Sequence, residues 1–251
     1  MIATRSAREI ELMREAGRIV AEVLAMCRRA AAPGVTLGEL DEAAETYIRE
    51  RKATPLFKGY HGFPATLCAS VNEEVVHGIP GTRALQEGDI LSLDCGAKLN
   101  GYCGDAAVTF GIGTVSEEAE RLMDVTRTAL QRGVDAIRTG KRVSDISRAV
   151  QMFAESQRCS VVRKYTGHGI GREMHEEPQV PNFVSRMMPD PALKRGQVVA
   201  IEPMVNLGRP EVVVLENGWT VVTKDGSLSA HFEHTVAVTD DGPDVLTLTG
   251  E

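Results

Sequence analysis

The sequence predicts an α+β fold in which two related halves, each running helix–helix–strands, pack about a pseudo-twofold axis around a central antiparallel sheet. Three observations lead there: helix starts that come in pairs, one long apolar hairpin, and an internal repeat. LQEGDILSLD (85–94) aligns without a gap on LKRGQVVAIE (193–202), an offset of 108. The helix starts at Ser6 and Ser116 are 110 apart, those at Thr36 and Ser144 are 108 apart, and the Leu12-Met13 and Leu122-Met123 pairs are 110 apart. A unit of that length is half a domain rather than a solenoid turn. Residues 1–251 are therefore expected to form a single domain with pseudo-repeats at about 5–113 and 114–240.

In order, Ser6 with Glu9 makes a capping box, and Ile10, Met13, Gly17, Val20, Leu24 and Cys27 follow at helical spacing. Pro33-Gly34 ends that helix. Thr36 with Glu39 caps a second, which carries Leu40, Ala43, Ala44, Tyr47 and Ile48 inward. From Ala53 to Gly81 the composition turns to glycine, proline and aromatics. Only Ala65–Val71 predicts a strand there, and the rest reads as ordered loop. Ile90, Leu91 and Leu93 lead an apolar strand to Asp94, Asn100-Gly101 turns the chain, and the return strand delivers Asp105. Across a two-residue turn, opposed positions sum to an odd number, as 94 and 105 do. Both carboxylates therefore share one face, roughly 4.5–8 Å apart.

The pattern then restarts. Ser116 with Glu117 and Glu118 opens a helix to about Arg138, and Ser144 opens another to about Gln157. Further strands are expected at Ser160–Tyr165, Lys194–Val205, Glu211–Val222 and Ala230–Val238.

Composition narrows the class. Hydrophobic content of 43% with 25% charged residues suits a soluble globular chain with ample core. A net charge of −7 gives no general attraction to nucleic acid or to an anionic membrane. Five cysteines without a CxxC pair read as reduced thiols of a cytoplasmic protein. The first twenty residues are charged throughout, unlike a signal peptide, and no apolar run has the length of a membrane span.

Four acids stand on apolar strands: Asp94, Asp105, Glu202 in VVAIEPMV and Glu233 in AHFEHTVAV. Any one could be a satisfied buried carboxylate, and the hairpin pair alone could face solvent. The repeat, however, places Asp94 and Glu202 at equivalent positions beside the axis, and four converging acids call for a counter-cation. An oxygen-rich site with few nitrogens and bridging carboxylates suits two divalent metals about 3.5–4 Å apart. A nitrogen ligand is sought among six histidines. His168 in TGHGIG and His175 seven residues on share a glycine-rich loop after a strand, and His77 in VVHGIP gives a weaker version of that signal. His61 and His231 are expected to be structural or supporting. His234 points away from Glu233 if its strand is regular.

The segments GYHGFPATLCASVNEEVVHGIP, LDCGAKLNGYCGD, GHGIGREMHEEPQVPN, IEPM and FEHT resemble the type I methionine aminopeptidases of the pita-bread (creatinase) fold, in their short bacterial form, over essentially the whole chain. The resemblance implies that Asp94, Asp105, His168, Glu202 and Glu233 hold two divalent metal ions (manganese, iron, cobalt or zinc), with Asp105 and Glu233 bridging. Glu202 would also move protons, and His77 and His175 would face the substrate. The methionine pocket would consist of Tyr60, Phe63, Cys68, Met174 and Trp219. Met174 stands where the family often has an aromatic, Phe63 where tyrosine is frequent, and Phe57 where a smaller residue is common. The implied activity is removal of an initiator methionine before a small second residue. The implied partners are N-terminal methionyl peptides and nascent chains, with a monomer expected and ribosome association left open.

Overall fold

The computed structural model describes residues 2–249. Helix α1 (Ala7–Ala30) starts where the Ser6 hydroxyl accepts from the Glu9 N–H and the Glu9 carboxylate accepts from the Ser6 N–H. Helix α2 (Leu37–Glu50) starts in the same way at Thr36 and Glu39. Each reciprocal pair satisfies two N–H groups that no turn of helix can reach.

Strand β1 (Thr54–Pro55) leads into the expected loop, which holds one 3-10 turn at Tyr60–Gly62. Then come β2 (Leu67–Val71) and β3 (Glu74–Val76). The long hairpin is β4 (Ile90–Leu99) and β5 (Tyr102–Gly111), with Leu99 opposite Tyr102. Asn100 and Gly101 both take positive φ, 51° and 82°, as a type I′ turn demands. Asp94 lies opposite Ala107 and Asp105 opposite Gly96, so the aspartates are diagonal neighbours on one face.

The second half repeats the first. Ser116 caps α3 (Glu117–Asp135), accepting from the Ala119 N–H. Helix α4 (Val143–Ser156) starts ahead of Ser144: Arg142 occupies the cap, and the Ser144 N–H and hydroxyl donate to Asp190 instead. The strand expected at Ser160–Tyr165 is only β6 (Ser160–Val161), followed by β7 (Gly167–Gly169) and β8 (Glu176–Val180). Lys194–Val205 resolves into β9 (Val198–Ile201) and β10 (Met204–Asn206), parted at Glu202-Pro203 because proline cannot donate to a ladder. Glu211–Val222 is a hairpin of β11 (Val212–Val214) and β12 (Val221–Thr223). Ala230–Val238 divides at Phe232 into β13 (Ser229–His231) and β14 (Glu233–Val238), which join different sheets, and β15 (Pro243–Val245) closes the described strands.

The main sheet runs β1-β4-β5-β14-β9-β7-β8, with β2 also on β4 and β15 also on β14. Outward from the β5–β14 junction, one side reads β4 then β2 and the other β9 then β7, which places the pseudo-dyad between β5 and β14. Bridges Thr36–Ala84 and Arg142–Ala192 mark equivalent points of the two halves, so Arg142, not Ser144, is the counterpart of Thr36. One apolar cluster fills the space under α1 and α2, and two more lie under α3 and α4. Helix α1 rests on the sheet backbone to backbone: a Cβ on Gly104 would meet the Gly17 nitrogen at 2.6 Å. Successive residues of a strand alternate in direction, so Asp105, next after Gly104 on β5, projects from the face that α1 does not cover.

Candidate metal centre

The sheet's central strands deliver the acids. Asp94 projects from β4, Asp105 from β5 and Glu233 from the start of β14, while Glu202 follows β9 at the proline break. His168 sits on β7, paired with Ala200 of β9. One ligand atom each from Asp105, His168 and Glu233 all lie within 4.8 Å of one another, and all three residues are buried. Glu202 joins them through Oε1, 3.6 Å from His168 Nε2. His168 Nδ1 lies 2.9 Å from the Gly169 carbonyl oxygen, which can only accept; Nδ1 therefore carries the proton and Nε2 is left free to coordinate.

The electrostatics show what this donor set suits. Asp94 Oδ1, Asp105 Oδ1 and Glu233 Oε1 are buried without a hydrogen-bond partner among the described residues. Burial pushes Asp94 up to about 7. Burial, then the neighbouring acids, hold Asp105, Glu202 and Glu233 well above the usual carboxylate range. Burial, then the facing His175, pulls His168 down to about 4, so its ring is neutral. Several ionised carboxylates cannot share such a site unless cations balance them. Unpartnered carboxylate oxygens beside a neutral imidazole suit hard or borderline divalent cations, so the donor set fits metal ions.

The acids floor a cavity of about 240 Å³. Its walls hold every further residue singled out from the sequence: Tyr60, Phe63, Cys68, His77, Met174, His175 and Trp219. Phe63 meets Trp219 edge to face with centroids 5.1 Å apart. Met174 and Cys68 are each 5% exposed, and burial raises the Cys68 thiol far enough to keep it neutral. The Tyr60 hydroxyl lies 2.7 Å from His175 Nδ1, and the His175 ring stacks edge to face on His168 at 4.4 Å. His77 follows β3 into the cavity and is drawn down to about 4, by burial first and His175 second. Phe57 also lines the wall.

Sequence reasoning set two histidines aside. His61 lines the cavity mouth at φ 48° between two positive-φ glycines, and those flanking glycines were the available signal. His231 is buried with Nε2 unpartnered, 4.0 Å from Glu202 Oε2. Its place two residues before Glu233 was the clue. His234 does point away, bonding the Thr247 hydroxyl at 2.9 Å. A larger hollow of about 460 Å³ lies on the opposite side of the sheet, between α1 and α3. It holds only one of the four acids and so cannot be the site the others converge on.

Comparison with known proteins shows the family. The family model described as "Metallopeptidase family M24" matches residues 11–240. A methionine aminopeptidase of Clostridium acetobutylicum is 55% identical over 249 residues, covering 99% of each chain. The crystal structure of methionine aminopeptidase from Thermotoga maritima superposes with a TM-score of 0.96 at 43% identity, covering 99% of this chain and 100% of that one. An Xaa-Pro dipeptidase from Bacillus anthracis shares the fold at 23% identity, with a TM-score of 0.79 over 99% of this chain and 62% of that one. The chain thus belongs to metallopeptidase family M24 and, within it, to the methionine aminopeptidases of the pita-bread fold.

Proposed function

We propose that this chain removes an N-terminal methionine from peptides and nascent proteins whose second residue is small. The observation that carries the reading is an apolar-walled cavity floored by four acids, Asp105 and Glu233 buried and Asp94 and Glu202 partly buried, and a neutral imidazole. Asp94, Asp105, His168, Glu202 and Glu233 would hold two divalent cations, with Asp105 and Glu233 shared between them. Cations bound there supply a water that is nucleophilic at neutral pH and balance the buried negative charge.

The chain's own groups do the rest. The unbranched thioether side chain enters between Phe63, Trp219, Met174 and Cys68, which offer apolar and polarisable contacts without a charge. The free α-amine lies against the acidic floor on the Asp94 side, which excludes substrates extended N-terminally and makes the enzyme an exopeptidase. Glu202 accepts the proton of the attacking water and passes it to the leaving nitrogen. The Tyr60 hydroxyl, donating to His175 Nδ1, leaves the His175 proton on Nε2, where it can meet the oxyanion developing on the scissile carbonyl. His77 contacts the peptide nitrogen beyond the cleaved bond. The enzyme acts as a cytoplasmic monomer; contact with the ribosome is the natural place for it to meet nascent chains.

Turnover of Met-Ala-Ser beside Ala-Pro-Ala tests the reading. Methionine release alone is expected. Preferential cleavage of Ala-Pro-Ala would assign the site to the prolyl peptidases that share the fold.

A further inference from the structure

His231 occupies a position that its surroundings fix from the backbone. Its N–H donates to the Thr109 hydroxyl at 2.9 Å, and its carbonyl oxygen lies 2.7 Å from that same hydroxyl. Thr109 stands on β5, four residues beyond Asp105, and its hydroxyl also meets Ser92 Oγ of β4 at 2.7 Å. The strand that ends at His231 is thereby tied to the hairpin bearing Asp94 and Asp105. The side chain is 2% exposed, yet Nε2 has no hydrogen-bond partner among the described residues.

A buried imidazole nitrogen left unpaired is costly, and native folds rarely leave one without a reason. The polar group it faces is Glu202 Oε2, 4.0 Å away. The other oxygen of the same carboxylate, Oε1, lies 3.6 Å from His168 Nε2. Glu202 is therefore bracketed by two imidazoles, one on each oxygen. The nitrogens have opposite duties: the His168 proton is committed to Gly169, so its Nε2 is a lone pair, whereas His231 Nε2 faces an acceptor and is the nitrogen that a proton favours. A gap of 4.0 Å exceeds a hydrogen bond, but rotation of the carboxylate about its last bond closes it, as such contacts tighten when a site fills.

We propose that His231 is a positioning residue for Glu202: its Nε2–H holds Oε2 and so keeps Oε1 turned toward the cation site beside His168. The hold on the carboxylate is independent of the reaction. Its consequence for proton transfer, fixing the base that takes the water's proton, rests on the hydrolytic reading above. Outer hydrogen bonds of this kind orient a ligand without touching the metal.

Two variants separate this role from mere packing. His231→Leu keeps the volume and removes the donor, and His231→Gln keeps an N–H donor without the ring. The metal-free proteins are titrated with cobalt(II) by calorimetry, the visible d–d spectra of the loaded forms are recorded, and kcat and KM are measured on Met-Ala-Ser. For the leucine variant, cobalt affinity or kcat should fall by about 10–100-fold with an altered spectrum, the range typical of lost ligand-orienting bonds. KM should stay within about twofold, since nothing that binds the methionine side chain has changed. The glutamine variant should recover most of the loss and regain the wild-type spectrum. Wild-type cobalt binding, spectrum and kcat in the leucine variant would overturn the proposal. So would equal impairment of both variants, which would assign the effect to the ring's packing. The titration and spectrum need no turnover, so a wild-type protein inert on Met-Ala-Ser would count against the hydrolytic reading and not against this contact.

Discussion

Tyr60 reaches His175 across 115 positions of sequence, its hydroxyl 2.7 Å from the ring's Nδ1. A phenol donates more readily than a neutral imidazole N–H, so the bond selects the tautomer that presents Nε2–H to the substrate. Tyr60→Phe keeps the aromatic wall and frees the ring to flip or change tautomer. We expect kcat to fall by roughly 10-fold with KM little changed, the signature of an interaction made mainly in the transition state. A variant that loses affinity for methionine peptides and keeps its turnover would make Tyr60 a pocket wall only.

The hairpin, the repeat and the four acids were legible because each rests on local chemistry. Asn100-Gly101 fixes a register, register fixes which side chains share a face, and Asp94 and Asp105 follow. The repeat carried Glu202 to its place because the same apolar strand recurs. The breaks at Pro203 and Phe232 were not resolved, since an apolar run looks continuous even where its two parts pair with different sheets. Nor could Ser144 be told from a true cap: its hydroxyl is drawn to Asp190, 46 positions away, while Arg142 takes the cap position. His231 was set aside because its place two residues before Glu233 signals only nearness to the acids, whereas an orphaned nitrogen is a property of packing.

Asp105→Asn should affect activity and stability in opposite directions. Hydrogen bonds to Thr235 anchor the Asp105 backbone on both sides, its N–H donating at 3.1 Å and its carbonyl accepting at 2.8 Å, so the amide variant keeps its place. Removing one proposed ligand should cut turnover by more than the ~100-fold that outer bonds cost. The same change removes an acid that ionises freely only in the unfolded chain, since burial and its neighbours oppose its charge in the fold, so the metal-free variant should melt above the metal-free wild type near neutral pH. Calorimetry in chelator checks this. A lower melting temperature there would mean that Asp105 stabilises the fold directly.

Gly104→Ala tests how the helix layer sets the site. The added carbon would meet the Gly17 nitrogen at 2.6 Å and the Ala16 carbonyl carbon at 2.9 Å, both main-chain atoms that no rotamer change can move aside. Overpacking of this kind costs about 1–3 kcal/mol. In a chain of this size that is a drop of roughly 2–4 °C in melting temperature per kcal/mol. Because Gly104 precedes Asp105 on β5, metal affinity should weaken as well. Unchanged melting would show that α1 can slide on the sheet.

The same buried acids set how the protein responds to pH. Asp94 is raised from 3.8 to about 7, and its three neighbours are raised well above the usual range too, by burial first and then by mutual repulsion. A folded pKa above the unfolded one means that the folded chain holds the extra protons. Its contribution to stability is full at low pH and is lost as pH rises through the folded value. His77 and His168 act oppositely, being held at about 4 against an ordinary 6.5, so they remove stability as pH falls through that interval. As pH rises past 6.5 the histidines lose their charge in the unfolded chain as well, and the acids come to dominate. The metal-free protein should therefore lose melting temperature as pH rises through about 7, where Asp94 ionises among its neighbours. Metal loading replaces those protons, so it should release protons, tighten with rising pH and flatten the stability curve. Calorimetric titration in two buffers of different ionisation enthalpy counts the protons released. Zero release at pH 6.5, below the value of about 7 to which Asp94 is raised, would mean that the acids are already ionised without metal and that something other than a divalent cation balances them.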